Sequence, residues 1–420
     1  VMIDMTTQIT KSQISATELN ERRRKLERFR DALLKRSSAI TPILIQAGLT
    51  YDGVNIDLGL FSREVNLAIS SSQRLEGRRP LEGEVGIAVP FDAPNLAAIL
   101  YLEGPYFAGY RTYMRFPRIL EQGGLSDIWK EALAEAKIDT IQIITGVSGK
   151  TFGAECVRAP EIQHFFIAGA KEIVDYYANP EIASQFSTEF LFGPTRPKLC
   201  LLSEFNPDDI NMLVTQSLLN SGQICGLYKE IICPDAIYEE VRERAIKTLS
   251  DIPYGSPENV VGPIKDSAIF EQGKKWLNLF ESDPSSEILV GGYIDESSGI
   301  IAPTLVEVKG DLDDDAEFFS PILILRRAED DGKVIEIAIQ DKAHGLLAGI
   351  YGPITEAYKY LGDLEMHYGL VFVNGSMYNK PISWPYGGFK TSFSFMDNRG
   401  TSNPINKKGR FYSMDELTTI

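Results

Sequence analysis

Val85-Gly86-Ile87-Ala88-Val89-Pro90 is an apolar run of strand length, stopped by a proline and followed by a helix-like stretch over 95–108. A run of this kind leading into a helical pattern predicts one βα unit. The unit repeats downstream. Arg111–Arg115 follows the first helical stretch, Thr140–Ile144 follows 124–136, and Gln163–Ile167 follows 149–157. Strands alternating with helices predict crossovers and a parallel sheet. A second alternating block starts near 197. It runs through Lys198–Leu202, a helix over 207–220, Lys229–Cys233, helices over 235–249 and 264–281, Ala302–Val308, Ile322–Leu325, Leu346–Tyr351, a helix over 354–363, and Leu370–Val373. Arg410–Ile420 reads as a lone strand.

Upstream of the first unit, residues 15–36 predict an amphipathic helix. Ser15 and Glu18 have capping-box spacing, and Leu19, Leu26, Phe29 and Leu33 share a face. A second helix is expected over 60–75. The 420 residues suffice for two domains.

The net charge of −16 argues against a nucleic-acid or anionic-membrane partner, since both require clustered Lys and Arg. The basic run Arg22–Lys25 is interleaved with Glu21 and Glu27 and reads as a solvated helix face. Asp311–Asp315 reads as a solvated loop. Four cysteines in a chain of this length do not form a disulfide framework, and neither they nor the three histidines show metal-ligand spacing. No apolar run reaches membrane-spanning length and no signal segment is visible, so a reducing cytoplasm is expected.

Asn220-Ser221-Gly222-Gln223-Ile224-Cys225 places a thiol at a small-residue turn after a helical pattern. Backbone N–H groups at such a bend can stabilise a thiolate and an oxyanion. Cys225 is the candidate nucleophile; a buried structural thiol is the alternative. Gly146-Val147-Ser148-Gly149-Lys150-Thr151 fails the phosphate-loop pattern because Ile144 stands where the first glycine is needed. A glycine-rich loop after a strand still suits close approach of a dinucleotide.

The NxGQxC pattern at 220–225 resembles the nucleophile motif of the aldehyde dehydrogenase superfamily. Five further segments resemble its signatures in order. They are Ile301-Ala302-Pro303-Thr304-Leu305, Ala316-Glu317-Phe318-Phe319-Ser320-Pro321, Ala343–Ala348, and the pair Val371–Asn374 and Pro385–Ser392. Upstream, Pro90–Asn95 resembles PWNFP, Arg115-Phe116-Pro117 its lysine-proline segment, and Ile167–Ala170 its FTGS.

The resemblance implies an α/β fold with a doubly wound Rossmann-type nucleotide domain, an α/β catalytic domain and an oligomerisation arm. The expected divisions are 1–190 for nucleotide binding, with 78–84 as an arm segment, 191–405 for catalysis, and 406–420 as the C-terminal strand that pairs with that arm. It implies NAD or NADP as cofactor, held near Pro90, Arg115, Gly169, Glu317 and Phe319, with Glu317 on the nicotinamide ribose and Phe319 near the ring. Read alone, Glu317 is a loop carboxylate. The cationic Arg115 suits a 2′-phosphate. The implied substrate is a small aldehyde or acyl thioester, and the implied assembly a homodimer or homotetramer.

Three positions depart from the pattern. Asp92 replaces an oxyanion-hole asparagine; a carboxylate there repels an oxyanion unless it is protonated or turned away, while the Cys225 N–H remains a donor. Ungapped matching puts Leu191 at the general-base glutamate. Glu189, two residues earlier and on the same strand face, is either a substitute base or an unrelated surface carboxylate. Phe393 replaces a glycine. The expected chemistry is an NAD(P)-dependent interconversion of an aldehyde and a carboxylate or thioester through a Cys225 thiohemiacetal. Loss of the base favours the acylating or reductive direction. The alternative is a degenerate nucleotide-binding or scaffold subunit.

Overall fold

The computed structural model describes residues 12–377, 386–399, 405–407, 409–411 and 413–419. Pro385 of the last signature, residues 1–11 of the first division, and Tyr412 and Ile420 of the tail lie outside them.

Two seven-stranded sheets organise the chain. In the first, five parallel strands lie in the order Thr188–Phe192, Ile162–Ala168, Glu84–Ala88, Thr112–Arg115, Ile141–Ile143. Their near-continuous apolar runs are what burial on both faces requires. One face packs on helices Ala16–Leu34, Tyr51–Ser71, Pro94–Ala108 and Leu125–Glu135 through Phe29, Phe61, Phe107 and Trp129. The other packs on Gly149–Arg158 and Lys171–Tyr177 through Phe152, Phe165 and Tyr177. The Ser15–Glu18 capping box forms, and Leu19, Leu26, Phe29 and Leu33 are buried.

The second sheet runs Leu370–Val373, Leu347–Tyr351, Lys198–Leu201, Glu230–Pro234, Ile322–Ala328, Thr304–Val308, Ser286–Val290. It is parallel except for the last strand. Helices cover both of its faces. The expected doubly wound α/β architecture is the observed one.

The division at 190/191 is corrected, because it cuts the strand Thr188–Phe192. The catalytic division also does not end at 405. Phe393–Asp397 and Ile405–Lys407 return to the first sheet as antiparallel additions beside Thr188–Phe192. The tail is not a lone strand. Gly409–Phe411 pairs with Tyr386–Lys390, a helical turn spans Ser413–Glu416, and Thr418–Thr419 pairs with Arg79–Pro80 of the same chain. No helix among the described residues is long and apolar enough to cross a membrane.

Candidate active site

Parallel strands align their C-terminal ends along one edge, and ligands of open α/β sheets bind outside that edge. Here Pro90, Arg115 and Gly169 follow three such ends. Pro90 and Gly169 line a cavity of about 410 Å³, together with Asp92, Cys225, Glu317 and Phe319. Thus six of the eight residues expected at the site meet in one space.

Arg115 stands apart from that cavity. Its Nε donates to the Val147 carbonyl at 3.1 Å, and its guanidinium lies beside Gly149, the first residue of a helix. This is still the nucleotide edge of the sheet. Burial lowers its pKa.

Glu189 is not brought to the cavity. Its cross-strand neighbours are Phe165 and Met396, which belong to the apolar cluster under Gly149–Arg158 and Lys171–Tyr177. Alternation along the strand therefore turns Glu189 and Leu191 to that face and Phe192 to the cavity. Both expectations for Glu189 are corrected: it is neither a base facing the sulfur nor a surface group, being fully buried with no partner for either oxygen. Burial pushes its carboxyl up to about 8.

That burial has a measurable consequence. An unfolded chain releases the Glu189 proton near 4.5, whereas the native state keeps it to about 8. Stability therefore falls as pH rises across that window and is flat above it. Glu189→Leu is expected to stabilise the chain by on the order of 3 kcal/mol near neutrality, with a smaller gain toward pH 5. Urea midpoints across that range check this. Glu189→Gln is expected to keep full turnover, whereas loss of a general base costs about 10²–10⁴-fold.

The nucleophile turn is strained and firmly held. Asn220, Ser221 and Gly222 are left-handed in succession, with φ of 54°, 57° and 72°. Such backbone persists only where surrounding structure fixes it. The Ser221 Oγ donates to the Gly262 carbonyl at 3.1 Å and accepts the Gly262 N–H at 2.9 Å, and the Asn220 Oδ1 accepts the Thr50 N–H at 3.0 Å. A Cβ on Gly222 would meet the Ser320 carbonyl oxygen at 2.3 Å, so only glycine fits. Lys229, nearly fully buried, donates to the Gly222 carbonyl at 2.7 Å and the Ser320 carbonyl at 3.0 Å. It ties the turn to the Glu317 loop, and burial lowers its ammonium to about 7. Its role was missed in the sequence; the only signal was one cation inside the apolar run Ile224–Ile232.

Cys225 itself is half-buried at the cavity wall. Cys156, Cys200 and Cys233 are buried, and their thiols are pushed up to about 12. Asp92 lines the cavity with Cys225; burial raises its carboxyl to about 6, while its own backbone N–H and the N–H and thiol of Cys225 pull it back down. The Cys225 N–H expected to face an oxyanion thus also favours the Asp92 carboxylate. Thr195 links the remaining pieces: its Oγ1 donates to the Cys225 carbonyl at 3.1 Å and its N–H to Glu317 Oε1 at 2.8 Å. Burial pushes Glu317 up to about 7.

The Leu191 and Phe393 departures belong together. Phe393 pairs in register with Phe192, their rings 5.0 Å apart, and Phe192 stacks on Tyr101 at 4.7 Å. Phe192 and Tyr101 thus give the cavity an aromatic wall, with Phe393 packed against Phe192.

A buried ionic cluster holds the loop that carries Glu317. Lys198 donates to Asp341 at 2.6 Å and to Glu230, and Arg196 donates to Asp341 at 2.9 Å. Arg196 also holds the carbonyls of Asp313 and Ala316, at 2.9 and 3.0 Å, next to Glu317. No cluster of His, Cys, Asp and Glu among the described residues could hold a metal ion.

The doubly wound sheet and the cleft at its C-terminal edge, lined by Cys225, Glu317 and Phe319, are those of an α/β dehydrogenase fold. The model of the aldehyde dehydrogenase family matches residues 4–403, and the chain belongs to that family. Lactaldehyde dehydrogenase of Methanococcus vannielii is 26% identical over 349 residues, covering 80% of this chain and 70% of that protein. The crystal structure of a mutant of aldehyde dehydrogenase C from Pseudomonas syringae, complexed with NAD+ and octanal, superposes with a TM-score of 0.80 at 19% identity, covering 96% of this chain and 84% of that one. A salicylaldehyde dehydrogenase from Pseudomonas putida G7, complexed with salicylaldehyde, gives 0.81 at 19% identity, covering 95% and 84%.

Proposed function

We propose that this chain interconverts an apolar aldehyde and its acyl thioester, with NAD or NADP as hydride carrier. One observation carries the reading: Cys225, Glu317, Phe319 and Gly169 share a cavity whose remaining wall is mostly apolar. Ile56, Leu60, Leu96, Leu100, Ile269 and Met377 form that wall, and no Lys, Arg or His lines the cavity among the described residues. Such a wall suits an alkyl or aryl chain and gives a substrate carboxylate no cationic partner. Octanal and salicylaldehyde, bound in two structures of the same fold, are aldehydes of this kind.

The donors present suit a dinucleotide. Pro90 and Gly169 stand at strand ends, Glu317 offers a carboxylate for ribose hydroxyls, and Arg115 offers a cation at the same sheet edge. The bound dinucleotide supplies the hydride acceptor. Cys225 supplies the sulfur that bonds the aldehyde carbon and holds the acyl group afterwards. Phe319 and Phe192 exclude water from the wall beside it.

Deacylation sets the direction. The strand that the resemblance matched to the base presents Phe192 to the cavity, and Thr195 engages Glu317. Without a dedicated base, water attack slows by about 10²–10⁴-fold, and a thiol is the better acceptor. With an apolar aldehyde and NAD alone, one equivalent of NADH per Cys225 is expected, then a slow phase. Adding coenzyme A or a small alkyl thiol is expected to restore continuous turnover. Equal steady rates with and without thiol contradict the acylating reading.

A further inference from the structure

We propose that Asp92 is the proton carrier of the addition step, taking the proton from the Cys225 thiol and delivering it to the aldehyde oxygen. The proposal rests on the reading above that Cys225 attacks an aldehyde. It goes beyond that reading by assigning a carboxyl the work of both a base and an oxyanion donor.

The placement is built rather than incidental. Asp92 sits in the loop between the strand Glu84–Ala88 and the helix Pro94–Ala108. Ala93, the next residue, is left-handed at φ 43°. The first turn of the helix is clamped by the buried Asp57, which accepts the Leu96 N–H at 2.9 Å and the Asn95 side-chain amide at 2.7 Å. Asn95 in turn accepts from Trp129 at 2.8 Å. These contacts fix the loop that sets Asp92 on the same cavity wall as Cys225, where the Cys225 thiol and N–H favour its carboxylate. A carboxylate facing a thiol in one cavity is the pairing proton transfer requires.

The addition balances within these atoms. The S–H proton passes to Asp92 as the sulfur bonds the carbonyl carbon. The C=O π pair moves to oxygen, and that oxygen takes the proton from the now neutral Asp92. Thiol plus aldehyde gives hemithioacetal, and Asp92 returns to carboxylate. In its neutral form Asp92 donates to the developing oxyanion, as an amide would. The repulsion expected of a carboxylate at this position is thereby removed at the moment charge develops.

The groups around Asp92 suit the role. Tyr101, from the same helix, is held protonated by burial. Asp57 from the helix Tyr51–Ser71 and Glu317 from the facing loop both feel the Asp92 charge, and Lys229 offsets Glu317. No cation faces Asp92 among these groups, so its affinity for a proton is kept.

The experiment uses the full chain without cofactor and follows addition of para-nitrobenzaldehyde, which has no conjugate-addition carbon, by the loss of its carbonyl-conjugated absorbance, from pH 5 to 10. Iodoacetamide alkylation of Cys225, which needs no proton delivered to the electrophile, runs in parallel. In the wild type, addition is expected to rise through a limb near 6, the Asp92 value. In Asp92→Asn the limb is expected to move to the ordinary thiol range near pH 8.5, and addition at pH 7 to fall by about 10²-fold or more. Alkylation at pH 7 is expected to fall less than addition, because it loses the proton acceptor but needs no proton delivered to the electrophile. Asp92→Glu is expected to restore the lower limb. Faster addition in Asp92→Asn overturns the proposal, since Asp92 would then be only an obstacle. So does a parallel fall in both reactions, which marks a structural role. No adduct in the wild type overturns the Cys225 reading first and this one with it.

Discussion

Cys225→Ser is expected to lower turnover by about 10⁴-fold or more, the scale on which enzymes lose rate when a nucleophile is removed. A hydroxyl ionises far above the range Asp92 can serve. No second thiol can take over, because Cys156, Cys200 and Cys233 are buried and pushed up to about 12. The loss is expected in kcat with the fold intact. Cys225 is half-buried, and one sulfur-for-oxygen change there leaves stability within about 0.5 kcal/mol. Cofactor-linked absorbance and a urea midpoint check both halves. Turnover within roughly an order of magnitude of the wild type contradicts the nucleophile assignment.

Asp341→Asn is expected to be the most destabilising isosteric change, by about 3–5 kcal/mol. Asp341 accepts from Lys198 and Arg196 and from the N–H groups of Ala343 and His344, each of the latter at 2.9 Å. Burial alone would raise its carboxyl. The Lys198 ammonium, His344 and Arg196 instead hold it well below the ordinary carboxylate range. A depressed native value contributes stability above the unfolded value near 3.8, and that stability is lost as pH falls through the acid range. The neutral variant leaves Lys198 and Arg196 buried with Glu230 as their remaining carboxylate. It also loosens the Arg196 contacts to Asp313 and Ala316, so weaker cofactor binding is expected with the stability loss. Urea unfolding at pH 7 measures the first effect. A change under about 1 kcal/mol contradicts the account of this cluster.

The parts of this molecule that obey a simple period were readable in the chain. Val85–Val89, Gln163–Ile167 and Leu370–Val373 are apolar runs bounded by breakers, and each is a strand within a residue or two. The helix Ser37–Ala47 was hidden by Pro42 and by the β-branched residues around it. The helix Asp331–Gln340 was masked by the strand-like run Val334–Ile337. The tail misled because Ser413–Glu416 turns only by packing against the helix Pro94–Ala108, a contact no local pattern announces.

At the site, residues that line the cavity from loops were legible: Asp92, Gly169, Glu317 and Phe319 after strands, and Cys225 at the turn after a helix. What failed was parity. Matching by position put Leu191 at the base and Glu189 beside it, but a strand alternates faces, and one residue of offset turns both away and presents Phe192. The cluster of Arg196, Lys198, Glu230 and Asp341 spans distant segments that only the closed second sheet brings together.

The central claim is that one sulfur carries the acyl fragment. Peptide mass spectrometry after acid quench of the wild-type chain, mixed with an apolar aldehyde and NAD in the absence of any thiol, tests it directly. The account predicts a single acyl thioester on the peptide containing Cys225, at about one per chain. NADH formed with no acyl group retained, or an acyl group carried by Cys156, Cys200 or Cys233, contradicts it.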